Sequence, residues 1–336
     1  MEQYQEPLQD SSTGESTQPT EATLAYPPKF VKKEQPANIW VRSMISLALY
    51  LVLGYYIFHS FTMLLLITAI VVLHELGHFF AMKFYRYNDL GIFFIPLLGA
   101  YVSGTKREVS QKESAVILLA GPLPGVILGI ILYLLWQRDP GLSLAGISYY
   151  QVSMLLIILN LINLLPVYPL DGGQLLNRVF LDEEGWVSKL FVFLSAALMV
   201  WVAWKLEFWV LLVFPLMMLL RLQSDSKFTA VEKKIEEEGI NADTSYEDLP
   251  DADYWKIRNI LVYEHPAFRD IPPSPPYEYH PKEEKIMTTI QSLLHRHLIQ
   301  DMSLAGKILV LLICLAAFAA PWLINMDMSF FRRFGL

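Results

Sequence analysis

The chain has 336 residues, of which 54% are hydrophobic and only 18% charged, against about 25% charged in an ordinary soluble domain. With several apolar runs of about twenty residues, that shortfall excludes a simple soluble globule and implies a polytopic membrane protein. The formal net charge of −7 argues against a nucleic-acid partner, and the single cysteine, Cys314, excludes an intrachain disulfide and a cysteine-based metal site.

Residues 1–38 are rich in Gln, Glu, Ser, Thr and Pro, and are expected to form a disordered cytosolic tail. No secretory leader is expected, because the first apolar run starts only near residue 40. A first transmembrane helix is predicted within 39–60, and a second follows after a very short turn, over 61–83. That second run, FTMLLLITAIVVLHELGHFFAMK, carries His74, Glu75 and His78 inside its apolar stretch. Residues four apart on a helix lie about 40° apart around the axis, so the two imidazoles can face one ion. Glu75 is offset by roughly 100° from His74 and 60° from His78, where it can act on a water beside that ion. Two His ligands and a neighbouring Glu base are the zinc metalloprotease arrangement. Ionisable groups inside a spanning helix cost a few kcal/mol each, so three at this spacing point to function.

Residues 89–112 are apolar but broken by Gly91, Pro96, Gly99 and Gly104, too short to span and alternating enough for a re-entrant β-hairpin. Such backbone is tolerated only against protein or a watery cavity, and a free strand edge there could hold an extended substrate. The third span, about 113–136, carries AGPLPGVILG, whose small residues permit close helix approach and local unwinding. The fourth, about 147–165, runs into NLLPVYPLDGG at 163–173, where Pro166 and Pro169 end the helix. Asp171 precedes Gly172 and Gly173, which are expected to allow a tight turn that aims its carboxylate. Alone, such a sequence at a helix end is usually only a turn or cap.

HELGH in one span, paired with NLLPVYPLDGG at the end of a later one, resembles the site-2 protease family of intramembrane zinc metalloproteases. The likeness covers about residues 61–180, expected as a catalytic core of three transmembrane helices plus the β element. It implies one Zn2+ per chain held by His74, His78 and Asp171, with Glu75 as general base and acid. It also implies that Asn163 and the Pro166–Pro169 turn position the substrate, and that Gly99 and Tyr101 of LGAYVSG border its path. The family often has an Asn shortly after its AGP element, where this chain has Pro124 and Gly125.

Two further helices are expected as a transmembrane hairpin over 186–223, followed by a cytosolic polar region over 224–303. His265, His280, His295 and His297 in that region are expected to be solvated or partner-facing. No signature of a PDZ domain or CBS pair is visible there. A last transmembrane helix over 304–325 and a tail over 326–336 complete the chain. The predicted fold is an all-α polytopic membrane protein of about seven transmembrane helices, with a small membrane-associated β-hairpin beside the active site. Lys and Arg in the short loops fall twelve to four on the side of the N-terminus, which places that terminus in the cytosol. The expected partners are membrane-anchored protein substrates and the lipid bilayer of a prokaryotic inner membrane, with the oligomeric state open. The competing reading is a non-proteolytic scaffold or metal-ion transporter using the same His and Asp residues. Glu75 weighs against it, since a pure ion site needs no base.

Overall fold

Helix α1 (Ile39–Phe58) begins where the Asn38 side chain accepts from the Val41 N–H, and it ends at His59 with φ 52°. Ser60 then caps α2 (Phe61–Phe84) by accepting from the Met63 N–H, so the two helices meet through a turn of two residues. These features come from a computed structural model, which describes residues 26–31, 38–96, 99–106, 109–181, 185–242, 244–294 and 299–326. Most of the expected N-terminal tail, His295, His297 and the expected tail after Met326 lie outside the described residues.

The broken apolar stretch after α2 forms an antiparallel hairpin of β1 (Asn88–Ile95) and β2 (Gly99–Thr105), with Ile92 opposite Val102 and Ile95 opposite Gly99. Gly99 has φ +107°, a left-handed value that L side chains rarely adopt. The Phe94 N–H donates to Ser46 Oγ at 3.1 Å, and its ring lies 5.7 Å from Tyr50. Both partners sit midway along α1, which places this end of the hairpin beside the middle of a helix long enough to span.

The third expected span is two helices end to end. α3 (Gln111–Ala120) and α4 (Pro122–Arg138) meet at Gly121, and Pro122 occupies the first position of α4, where a missing N–H costs nothing. A small hairpin of β3 (Ser143–Leu144) and β4 (Ile147–Ser148) leads to α5 (Tyr149–Asn163), which starts with a reciprocal Ser148–Gln151 capping box. The five-residue α6 (Asp171–Leu175) continues as a π-turn over Leu176–Phe180. α7 (Trp186–Lys205) and α8 (Val213–Glu237) pair as a hairpin, and α8 runs from its apolar start into the charged sequence without a break.

Five segments are long and apolar enough to cross a membrane: Ile39–Tyr56, Phe61–Phe84, Gln111–Arg138, Trp186–Lys205 and Leu304–Leu323. The last is α11. The fourth and sixth expected spans appear as shorter apolar helices, Tyr149–Asn163 and Trp209–Leu220. Outward-facing Leu49, Val52, Phe193, Leu194, Leu311 and Leu312 leave broad apolar surfaces on α1, α7 and α11, which fits lipid contact. Val126 and Tyr133 of α4, Ile157 of α5 and Val310 and Ala317 of α11 share one core. Gly129 lets α4 and α5 close on each other, since a Cβ there would lie 2.6 Å from Ile157 Cγ1.

Residues after the membrane part build a second core, which their polar composition concealed. It joins the end of α8 to α9 (Asp251–Glu264) and α10 (Glu283–Leu294) around Val231, Tyr254, Trp255, Leu261, Phe268 and Ile286. Inside it, Arg258 and Glu283 form an ion pair at 2.8 Å with both side chains 1% exposed, and the Tyr254 hydroxyl donates to the same carboxylate. Burial, and then the bond to Glu283, push the Tyr254 phenol far above its ordinary range. The expected tail boundary also shifts, because residues 26–30 pack on this core. His265 differs from expectation as well. It lies between Phe228 and Phe268, at ring distances of 5.1 and 5.3 Å, and its Nδ1 accepts from the Ala267 N–H. Ile299, just before α11, exchanges backbone bonds with Val109 and Gln111, tying this unit's exit to the start of α3.

Candidate metal centre

Two elements converge on one buried point. α2 brings His74 and His78, which are 7% and 8% exposed, and the turn after α5 brings Asp171 at the first position of α6. The His74 and His78 Nε2 atoms lie 3.1 Å apart, and Asp171 Oδ2 lies 3.0 Å from the first and 3.2 Å from the second. Among the described residues these three form a group able to hold a metal ion. A tetrahedral zinc with bonds of ~2.0 Å needs ligand atoms ~3.3 Å apart, and this triangle has that size.

The far sides of both rings are fixed. His78 Nδ1 lies 2.7 Å from the Ile117 carbonyl, which can only accept, so Nδ1 carries the proton. His74 Nδ1 lies 2.8 Å from Asn160 Oδ1. The Asn160 amide NH2 donates to the Leu156 carbonyl at 2.7 Å, which fixes the oxygen toward His74. With Nδ1 as the donor on both rings, each Nε2 points toward the other and toward the Asp171 carboxylate. Three electron-rich atoms at these distances repel unless a cation lies between them, and this donor set suits zinc.

Glycines make the convergence possible by lacking a Cβ. At Gly77 a Cβ would fall 1.9 Å from the Ala120 carbonyl oxygen, so α2 meets the α3–α4 junction in backbone contact. At Gly121 it would strike His78 Nε2 at 2.3 Å, and at Gly125 it would strike Asn160 Nδ2 at 2.1 Å. Gly172 and Gly173 act in the same way against Leu164 and Val167. The expected tight turn at these two is replaced by the first turn of α6, with neither glycine among those of positive φ. Asp171 is aimed by close packing of a helix start on the Leu164–Val167 loop.

Glu75 is 6% exposed and sits on α2 beside the triangle. Val102 in β2 faces the same space as Glu75, so the hairpin borders the acid. A cavity of about 2170 Å3 opens onto all of these groups. Its wall includes Gly99 and Tyr101 of β2, Asn163 at the end of α5, and Leu206 and Phe214 of the α7–α8 hairpin. Tyr101 is 48% exposed and stacks on Phe93. Pro166 is exposed and outside that wall, whereas its neighbours Leu165, Val167 and Pro169 line it. At several times the volume of a usual small-molecule pocket, the cavity has room for a polypeptide segment.

Asn160 is the site residue that sequence reasoning passed over. Asn163, three positions on, took the attention because it opens the NLLP run. The signal was present, since an Asn in the middle of an apolar helix must find a partner.

Parts of the chain are similar to known proteins. Residues 62–141 match peptidase family M50. The chain is 30% identical over 125 residues to zinc metalloprotease MJ0392 of Methanocaldococcus jannaschii, covering 37% of this chain and 36% of that protein. It is 30% identical over 128 residues to stage IV sporulation protein FB of Bacillus subtilis, covering 35% and 40%. The chain thus spans well under half the length of these two relatives. A solved site-2 protease from Methanocaldococcus jannaschii aligns at 24% identity over 53% of this chain and 84% of its own, with a TM-score of 0.39. The family match takes in His74, Glu75 and His78 and stops short of Asp171. On the family match and the two curated relatives, residues 62–141 of this chain are similar to peptidase family M50.

Proposed function

We propose that the chain is an intramembrane zinc metalloprotease that hydrolyses peptide bonds of membrane-anchored proteins near the cytosolic face. One observation carries this reading: two Nε2 atoms and one carboxylate oxygen form a buried triangle of 3.0 to 3.2 Å, with a carboxylic side chain beside it. His74, His78 and Asp171 would hold one zinc ion, with Asn160 and the Ile117 carbonyl fixing the two rings. When bound, zinc acidifies water and polarises a carbonyl oxygen. Glu75 takes the proton of the attacking water and returns it to the leaving amine. The low exposure of Glu75 keeps bulk water from competing for that proton.

A spanning helix has its carbonyls tied up in hydrogen bonds, so a substrate must unwind before attack. β2, through Gly99 and Tyr101, offers an extended backbone against which the unwound segment lies. Asn163 lines the same cavity, as do Val167, Tyr168 and Pro169 of the turn that follows. The shorter helices Tyr149–Asn163 and Trp209–Leu220 complete seven crossings in this reading, with the N-terminus cytosolic by the charge bias. His78 lies six residues from the end of α2, about 9 Å along the axis, which puts the chemistry near that face. The reading is tested with Glu75→Gln in liposomes. Zinc content should stay unchanged while cleavage of a spanning substrate is lost. Unchanged cleavage would remove Glu75 from the chemistry, and an active ion flux without cleavage would favour a transporter.

A further inference from the structure

The second core is bound to a peptide from its own chain. Residues 26–30 read Tyr-Pro-Pro-Lys-Phe. Each proline locks its own φ and pushes the residue before it into extended backbone, so Tyr26–Pro28 is stiff before it binds anything. The carbonyl of Pro27 accepts from the Trp255 indole N–H at 2.8 Å, that of Pro28 from the Tyr279 hydroxyl, and that of Phe30 from the Tyr246 hydroxyl at 2.6 Å. Lys29 is held at both ends. Its N–H donates to Asp251, and its ammonium donates to the carbonyls of Glu247 and Leu249 at 2.7 and 2.6 Å. Tyr26 and Phe30 pack edge-on against Tyr277 and Tyr279.

This differs from ordinary core packing. The polar contacts fall on backbone carbonyls and one lysine, and the carbonyls meet aromatic side chains whose polar tips are donors. That is the physical pattern by which grooves read a preformed proline-rich strand. The ligand lies more than two hundred positions from the groove in sequence, so the groove does not need it for chain connectivity.

We infer that Trp255, Tyr246 and Tyr279 form a docking groove for proline-rich peptides, with Tyr26–Phe30 as its resident ligand. A partner polypeptide bearing an aromatic-Pro-Pro-Lys-aromatic segment takes the same place in trans when the resident segment is weakened. Tyr246 and Glu247 also line the large cavity that holds the metal centre. The inference does not depend on the proteolytic reading.

The test uses the full chain in detergent and a fluorescein-labelled peptide, ATLAYPPKFVKK. Wild-type chain should bind it weakly, because the tethered ligand competes at a high effective concentration. The full-length Lys29→Glu variant should bind it at least tenfold more tightly, and a Tyr26→Ala variant should do the same. A scrambled peptide of equal charge, and one with both prolines changed to alanine, should lose that gain. If neither variant binds the native peptide better than the scrambled one, the groove is only a packing surface and the inference fails.

Discussion

Asn160 on α5 holds His74 on α2 through a 2.8 Å bond that only one orientation of the amide allows. The bond fixes which imidazole nitrogen faces Asp171. Replacing Asn160 with leucine removes the acceptor and frees the ring. Such outer partners typically control 10–100-fold in metal affinity. Asn160→Leu is therefore expected to lose zinc to a chelator at concentrations about 10–100-fold lower than wild type, whereas Asn160→Asp retains it. Competition with a fluorescent chelator measures both.

Gly121 and Gly77 should respond differently to the same small change. Gly121→Ala drives a methyl into the His78 ring, the end of a side chain that can move, so zinc retention falls more than stability does. Gly77→Ala drives it into the Ala120 backbone, which cannot yield locally. Overpacking of that kind costs about 1–3 kcal/mol or more. Thermal unfolding in detergent should show the larger loss for Gly77→Ala, and zinc content the sharper loss for Gly121→Ala.

The Arg258–Glu283 pair offers a test away from the metal. Removing one member of a buried pair strands the other charge, at a cost of about 3–5 kcal/mol. Arg258→Met alone should unfold the second core, followed by limited proteolysis within residues 244–294, at much lower denaturant. Arg258→Met with Glu283→Leu should recover part of that loss, and equal melting of the single and double variants would contradict the assignment.

The sequence disclosed parts of the site that are local in the chain. His74, Glu75 and His78 share one helical turn, so their spacing alone predicts their geometry. Asp171 is 93 positions from His78, and only the motif resemblance linked them. Asn160 was marked only as an amide inside an apolar helix, because its partner His74 lies 86 positions away. The hairpin was readable from its glycines and alternating apolar residues. The second core was missed because its apolar positions, such as Tyr254, Ile257 and Leu261, are thinned by charged neighbours. The small composition of 26–30 gave no hint of a binding partner more than two hundred residues away.

His74, His78 and Asp171 should grip one cation, and X-ray absorption at the zinc edge of the purified chain reads the atoms around it. Wild type should hold one zinc per chain with nitrogen and oxygen neighbours at ~2.0 Å, including two imidazoles. Asp171→Ala should lose most of that zinc at equal chelator, and full retention with an unchanged spectrum would contradict the shared site.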